Sequence, residues 1–262
     1  MLAQRGHHVK FVAVTNGDRG HMDPSLRENR ASLAVRRLAE AKEAAAVFGA
    51  QYECLNVHDG DVYVTRELTE QLVRVIRRWG KEPGAGPDLV LVHRPNDYHR
   101  DHRYTAQAVL DTTFMLTVPL MCPDEPRLTR MPVFAYWFDN FHEGGAFRPD
   151  VVVPIDAVLD TKAAILSKHA SQVYEWLPFL GALPSEVPPA TDAAGRHRYA
   201  LGWMQQRGKR VVDACHKTAP NKVPANCQYA EAFQISEYGR QPSEAELPGL
   251  FSVAGPDMRK VV

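Results

Sequence analysis

The sequence has no excess charge of either sign. Lys plus Arg is 31 and Asp plus Glu is 31 in 262 residues, a formal net charge of zero. Such a balance provides no global field to draw in nucleic acid or an acidic membrane. No apolar run reaches the 18 residues of a transmembrane helix. The opening MLAQRGHHVKF has no apolar stretch of the kind a secretory leader carries. The four cysteines (Cys54, Cys122, Cys215 and Cys227) are scattered, and none forms a CxxC pair. This excludes a disulfide framework and argues against a closed zinc pattern around Cys215, His216 and Cys227. No GxGxxG follows the first strand and no Lys-Ser/Thr follows the first glycine loop, so dinucleotide and phosphate-loop chemistry are set aside. There is no repeat and no low-complexity block. The expectation is one soluble, cytoplasmic domain over residues 1–262. It would have a small-molecule partner, no nucleic acid and no membrane span, with homo-oligomer formation left open.

What is present is alternation. Apolar residues make up 45% of the chain, enough for a sizeable core. VKFVAV at 9–14 reads as a buried strand, and Thr15 to Gly20 as a loop with two glycines. Residues 31–48 read as a helix with Leu33, Arg37, Ala41, Ala44, Ala45 and Phe48 on one side, closed by Gly49. A short strand at 52–57, a turn at Asp59-Gly60 and a helix at 66–79 follow. The strand 88–93 then leads into a helix near 101–113. Strands near 133–137 and 150–153, a long helix over 156–174, a surface excursion at 181–196, a helix at 197–210 and a strand at 229–235 complete the pattern. Apolar strands alternating with amphipathic helices predict an α/β fold built on a mostly parallel sheet.

The densest chemistry is His93-Arg94-Pro95-Asn96-Asp97-Tyr98-His99-Arg100-Asp101-His102, at the carboxyl end of a predicted strand, where open α/β sheets collect their sites. His99 and His102 are three apart, so a helix starting there turns both imidazoles to one side. Asp97 and Asp101 stand ready to orient an imidazole or stabilise its charged form. Pattern alone leaves two readings open: metal or acid–base chemistry, and a capped helix with solvated histidines. Asn16 and Asp18 lie in a loop that follows a strand, where a plain turn serves almost as well as a ligand contact. Arg37 reads as a surface helix residue and His169, alone late in a helix, as structural. The aromatic run Tyr136, Trp137, Phe138 and Phe141 reads first as core, and the His142–Gly145 loop as flexible.

The segments VKFVAVTNGDRG (9–20), RLAEAKEAAAVFG (37–49), HDG (58–60), PDLVLVHRPNDYHRDH (87–102), LDTKAAILSKHASQ (159–172) and YAEAF (229–233) together resemble the LmbE-like deacetylases, which include the N-acetylglucosaminyl-phosphatidylinositol de-N-acetylases. The resemblance runs over most of the chain and is most specific at HRPNDYHRDH. It implies a Rossmann-like, three-layer α/β/α sandwich that binds no dinucleotide. It also implies a zinc-dependent hydrolysis of an acetamide, often on an amino sugar. His102 falls on a metal ligand, His99 on the group that stabilises the oxyanion and protonates the leaving amine, and Asp101 on the residue holding that imidazole. Arg37 falls near substrate and the resemblance adds His169 to the pocket lining, while Asn16 and Asp18 are expected near the pocket mouth from their place after a strand.

One departure stands out. The family's opening strand and His-Pro-Asp-Asp segment, with two metal ligands and the general base, has no counterpart here; His7 and His8 do not replace it. The expectation is a fold short of its first strand, with a start codon set too far downstream as the favoured cause. The alternatives are a catalytically inactive carbohydrate-binding or interaction protein, or completion of the site by another chain or ligand set.

Overall fold

A computed structural model describes residues 1–251 of the chain. In chain order the elements are β1 (Lys10–Thr15), α1 (Arg30–Ala46), β2 (Gln51–Val57), α2 (Arg66–Arg78), β3 (Leu89–Val92), α3 (Arg100–Met115), β4 (Val133–Trp137), β5 (Val151–Pro154), α4 (Leu159–Ser167), the single turn α5 (Leu177–Phe179), α6 (Ala193–Thr218), β6 (Ala230–Gly239) and α7 (Leu247–Phe251). The α/β class read from the alternation is what forms. Its strands are divided between a two-stranded sheet, β1-β2, and a four-stranded sheet in the order β3-β4-β6-β5. Among the described residues no helix is long and apolar enough to cross a membrane.

The chain forms two compact units. The first comprises Met1–Asp61, Pro154–Asp213 and Ala225–Ala230. Here β1 and β2 pair in parallel, with Lys10 opposite Gln51 and Ala13 opposite Cys54. Leu33, Arg37, Ala41, Ala44 and Ala45 form the buried side of α1, as the i, i+4, i+8 spacing predicts. Phe48 beyond its end meets Phe11 of β1 edge to face. A second cluster gathers Val173, Tyr174 and Leu183 with Tyr199 and Trp203 of α6.

The long helix expected over 156–174 is broken. A 3₁₀ turn at Asp156–Val158 leads into α4, and a π-helical segment, Ser171–Trp176, follows it. The reason is local competition for hydrogen bonds. Glu40, buried on α1, accepts from both the backbone N–H and the hydroxyl of Ser171. It thereby satisfies a donor that a continuous helix would have used itself.

The second unit comprises, among the described residues, Val62–Val153, Ala214–Pro224 and the chain from Glu231 to Phe251. β3 and β4 are parallel, Leu89 opposite Val133 through Val92 opposite Tyr136. β6 runs antiparallel to β4, so this sheet is mixed. A run such as YAEAF announces a strand, but not its direction, which the chain's return path decides. α2 opens on Thr65, whose side chain accepts from the Leu68 N–H, and buries Leu68, Leu72, Val75 and Ile76. Its Arg77 is 2% exposed and donates to six backbone carbonyls between Met115 and Glu125, closing the end of α3 and the turn after it. α7 lies where the sequence shows little patterning.

Candidate active site

The chemistry-bearing residues gather at the carboxyl ends of the parallel strands, one group in each unit. In the second unit β3 ends at Val92 and α3 begins at Arg100, leaving His93 to His99 as the connecting loop. Asp97 Oδ1 accepts from the His99 N–H at 2.8 Å, and His99 Nδ1 accepts from the Asp101 N–H at 3.2 Å. His99, and not Asp97, is therefore the residue that caps α3. That capping bond occupies Nδ1 and leaves Nε2 for other work. Asp101, 5% exposed, turns Oδ1 to the Val62 N–H at 3.2 Å.

His102 projects back over the loop. Its Nδ1 meets Asp97 Oδ2 at 3.2 Å, with 41% of its side chain exposed. Its ring stacks on His93, centroids 4.6 Å apart and planes 2° from parallel, and lies 4.9 Å from the ring of His99. Trp137 at the end of β4 meets the His93 ring edge-on, while Tyr98 packs against His99, His102 and Phe141. Burial pushes the His93 imidazole down to about 4, and the neighbouring His102 adds to this against the pull of Asp97 and Asp139. His93 is thus neutral at pH 7, with a buried Nδ1 that has no partner among the described residues.

The loop after β4 is braced by Arg94, 6% exposed. Arg94 Nε donates to Asp139 Oδ2 at 2.8 Å and Nη2 to Asp139 Oδ1, while the guanidinium also reaches the carbonyls of Phe141 and Gly145. The aromatic run therefore divides. Tyr136 is core and bonded to Ser236 at 2.8 Å, whereas Trp137 is 36% exposed beside the histidines.

The donors in this loop bear on the expected zinc. His102 has one ring nitrogen held by a carboxylate, the arrangement that orients a ligating imidazole and leaves Nε2 presented. His99 and Asp101 bring an imidazole nitrogen and a carboxylate oxygen within 4.8 Å of each other. An imidazole nitrogen suits zinc, but His102 is one ligand where a catalytic zinc takes three from the protein, and His99 and Asp101 are kept for acid–base work.

In the first unit the loops after β1 and β2 are joined bond by bond. The Asn16 N–H donates to the Val57 carbonyl at 2.9 Å and its amide to Asn56 Oδ1 at 3.1 Å. Asp18, 3% exposed, accepts from the Asp59 N–H at 3.0 Å and faces His58 Nδ1 at 2.7 Å. Burial works to raise the Asp18 carboxyl, but these two bonds and the charges of His58 and Arg19 bring it below the ordinary carboxylate range. Arg19 donates to the Asp59 carbonyl at 2.9 Å and to Asp61 at 2.6 Å.

Arg37 corrects the surface reading: it is 9% exposed. Its guanidinium donates to the carbonyls of Gly17 and Gly20, and Nε has no partner among the described residues. Burial lowers its pKa, with Asp59 and Glu40 pulling the other way. Gly17 is required here. It has φ +70°, and a Cβ would sit 2.8 Å from the Arg37 side chain. His169 is half-buried; burial pushes its imidazole down, Glu40 opposes this, and Arg37 adds to it. Asn16, Asp18, Arg37 and His169 thus all lie in this unit, and His99, Asp101 and His102 all in the other. His58, His93 and Arg94 had gone unassigned. The signal that could have found His58 is its place just past β2, beside the Asn16–Gly20 loop that follows β1.

Residues 1–113 match the family model described as GlcNAc-PI de-N-acetylase, PIG-L. No curated protein matches the chain in sequence. Among solved structures, the 4-carboxy-2-hydroxymuconate hydratase of Pseudomonas putida is 22% identical at a TM-score of 0.63, with 92% of this chain and 88% of that one covered. The N,N'-diacetylchitobiose deacetylase of Pyrococcus horikoshii is 20% identical at 0.63, with 98% and 79% covered. A conserved protein of Thermus thermophilus is 19% identical at 0.57, with 89% and 84% covered. The family match extends over residues 1–113, and the chain has the α/β fold of these structures.

Proposed function

We propose that the chain is a zinc-dependent N-deacetylase, hydrolysing the acetamide of a small N-acetylated compound such as an amino sugar or glycoconjugate. This reading takes residues 1–262 as one deacetylase domain. The observation that carries it is the His99–His102 pair at the carboxyl end of β3, with His102 oriented by Asp97, inside the segment that matches the family.

His102 would be one ligand of the metal, through Nε2. A bound zinc supplies a water of lowered pKa and polarises the acetyl carbonyl. His99, fixed at the helix start by its capping bond, is set to stabilise negative charge on the acetyl oxygen and to hand a proton to the leaving amine. Asp101 anchors the start of that helix through the Val62 N–H. His93, neutral and packed against the His102 ring, excludes water from one face of it. Asn16, Asp18, Arg37 and His169 are assigned to substrate.

The test is acetate release from N-acetylglucosamine conjugates by zinc-supplemented protein, alongside metal analysis. His102→Ala is expected to lose most bound metal. His99→Ala is expected to keep its metal and lose roughly 10²- to 10⁴-fold in turnover. Equal metal loss in the two variants would overturn the assignment. Sugar binding without acetate release would turn the reading to a non-catalytic binding protein. Hydration of an unsaturated carboxylate, the activity class in the name of the Pseudomonas putida neighbour, would turn it to a hydratase.

A further inference from the structure

Outside the β3–α3 loop, His58 is paired with an almost wholly enclosed carboxylate. It follows β2 directly, and its Nδ1 lies 2.7 Å from Asp18 Oδ2. The Asp18 carboxylate is almost wholly enclosed, with only 4% of its side chain exposed, while 63% of the His58 side chain faces solvent. Its second oxygen is fixed by the Asp59 N–H at 3.0 Å, so the carboxylate cannot turn away. The Asp18 N–H is tied in turn to Asn16 Oδ1 at 3.2 Å. A buried, ionised carboxylate at this distance accepts a hydrogen bond from the Nδ1–H of the imidazole, which in the neutral ring leaves Nε2 unprotonated. The tautomer is thereby set: Nδ1 donates inward, and Nε2 is left as an acceptor on the accessible side.

A structural role alone does not account for this arrangement. An exposed ion pair stabilises little, and a carboxylate needing only a backbone donor already has Asp59. What the pairing achieves is an outward lone pair of fixed identity at the carboxyl end of a parallel strand. The charges around it select the ligand. Asp18, Asp59 and Asp61 stand against Arg19, which is bonded to Asp61, and Arg37, which is bonded to Gly17 and Gly20. Three carboxylates against two arginines disfavour an anion, and an acceptor-rich rim suits a ligand rich in hydroxyl donors.

We propose that His58 is a substrate-contacting residue whose Nε2, held as an acceptor by Asp18, takes a hydrogen bond from a ring hydroxyl of a sugar substrate. This rests on the amino-sugar reading above and adds a specificity-determining contact to it. Asp18, assigned above to substrate, then acts on it through the imidazole, as a positioning residue.

The experiment uses the full chain with ¹⁵N-labelled histidine and N-acetylglucosamine as the probe. The His58 side-chain spectrum is expected to show the Nδ1–H tautomer in the wild type and a mixture in Asp18→Asn. Saturating N-acetylglucosamine is expected to shift Nε2 of His58. His58→Ala is expected to weaken sugar binding roughly five-fold, and His58→Gln, which keeps an acceptor near the Nε2 position, to recover most of the loss. An Nε2–H tautomer in the wild type overturns the inference. So does sugar binding that shifts other resonances and leaves His58 untouched, in which case the amino-sugar reading stands without it. A sugar that shifts no resonance removes the amino-sugar reading and the inference together. Asp18→Asn also separates positioning from structure: a merely structural Asp18 would leave the tautomer unchanged.

Discussion

The carboxyl end of β1 and β2 and that of β3 and β4 do the same architectural work by different means. Each places a loop of polar residues past two parallel strands, and each braces a loop with a buried arginine. In the first unit Arg37 is held by carbonyls, those of Gly17 and Gly20. In the second Arg94 is held by a carboxylate, Asp139, and by carbonyls besides. The first loop is then locked by main-chain bonds around Asp18, whereas the second carries a stack of rings, His102 on His93 beside Trp137. Main-chain locking fixes where backbone and small side chains stand. Ring stacking fixes planes and leaves nitrogen edges open for a ligand. The first loop is thus defined by its backbone and the second by its ring planes.

The comparison is broken most directly at the two arginines. Arg94→Ala removes a buried bidentate partner and strands Asp139, so a loss of about 3–5 kcal/mol is expected from urea unfolding. Arg94→Lys should recover little, because a point charge cannot reproduce the two-pronged contact. Arg37→Ala strands two carbonyls and no charge, and is expected to cost about 1–3 kcal/mol. Equal losses would show that the carboxylate adds nothing to the brace.

Asp18 is the next test. Its carboxyl is lowered in the folded chain below the ordinary 3.8, so the folded state binds the proton less readily than the unfolded state. The stability it contributes is therefore fully present above about pH 4 and is lost as pH falls through the folded value. Asp18→Asn is expected to be about 1–3 kcal/mol less stable at pH 7. The gap should close in unfolding curves taken below pH 4. A gap independent of pH would mean that shape, not charge, holds the loop.

Much of this frame was legible in the sequence because it is written in apolar periodicity. VKFVAV, LVLV and the Leu68–Ile76 spacing gave strands and helices within a residue or two of their observed bounds. The pairing of His99 and His102 was legible too, since a three-residue spacing at a helix start is a local fact. Arg37 was not. Periodicity registers apolar side chains, and nothing in it marks a cation whose burial depends on carbonyls 17 and 20 residues earlier. The Asp18–His58 contact fails for the same reason, its members lying 40 residues apart in the loops after two strands. The break after α4 depends on Glu40, 131 residues before Ser171. Local patterns predicted local elements, and the site is made of the non-local bonds between them.

Glycine separates the two loops at a smaller scale. Gly17 has φ +70° and an Arg37 side chain where its Cβ would stand, while Gly145 has φ +106° and open space. Gly17→Ala is expected to cost about 2 kcal/mol, from backbone strain and displacement of the guanidinium. Gly145→Ala is expected to cost about 1 kcal/mol, from backbone strain alone. Urea midpoints of the two variants decide this, and a larger loss at Gly145 would show that the second loop is the more tightly built.

The smallest effect on stability is expected at His58, and its size separates two accounts of Asp18. If the carboxylate is there chiefly for the imidazole, removing the ring should release Asp18 and cost nearly what Asp18→Asn costs. If it is there chiefly to hold the loop, the Asp59 N–H keeps it in place without the ring. With 63% of the ring's side-chain surface in water, the second outcome follows from the screening of exposed pairs. His58→Ala is expected to change unfolding stability by about 0–1 kcal/mol. The double variant with Asp18→Asn should then lose little more than Asp18→Asn alone, because the ring's contribution passes through a carboxylate already gone. A His58→Ala loss as large as that of Asp18→Asn would make the ring part of the lock. The first unit's rim would then resemble the second, with an imidazole built into the frame instead of presented from it.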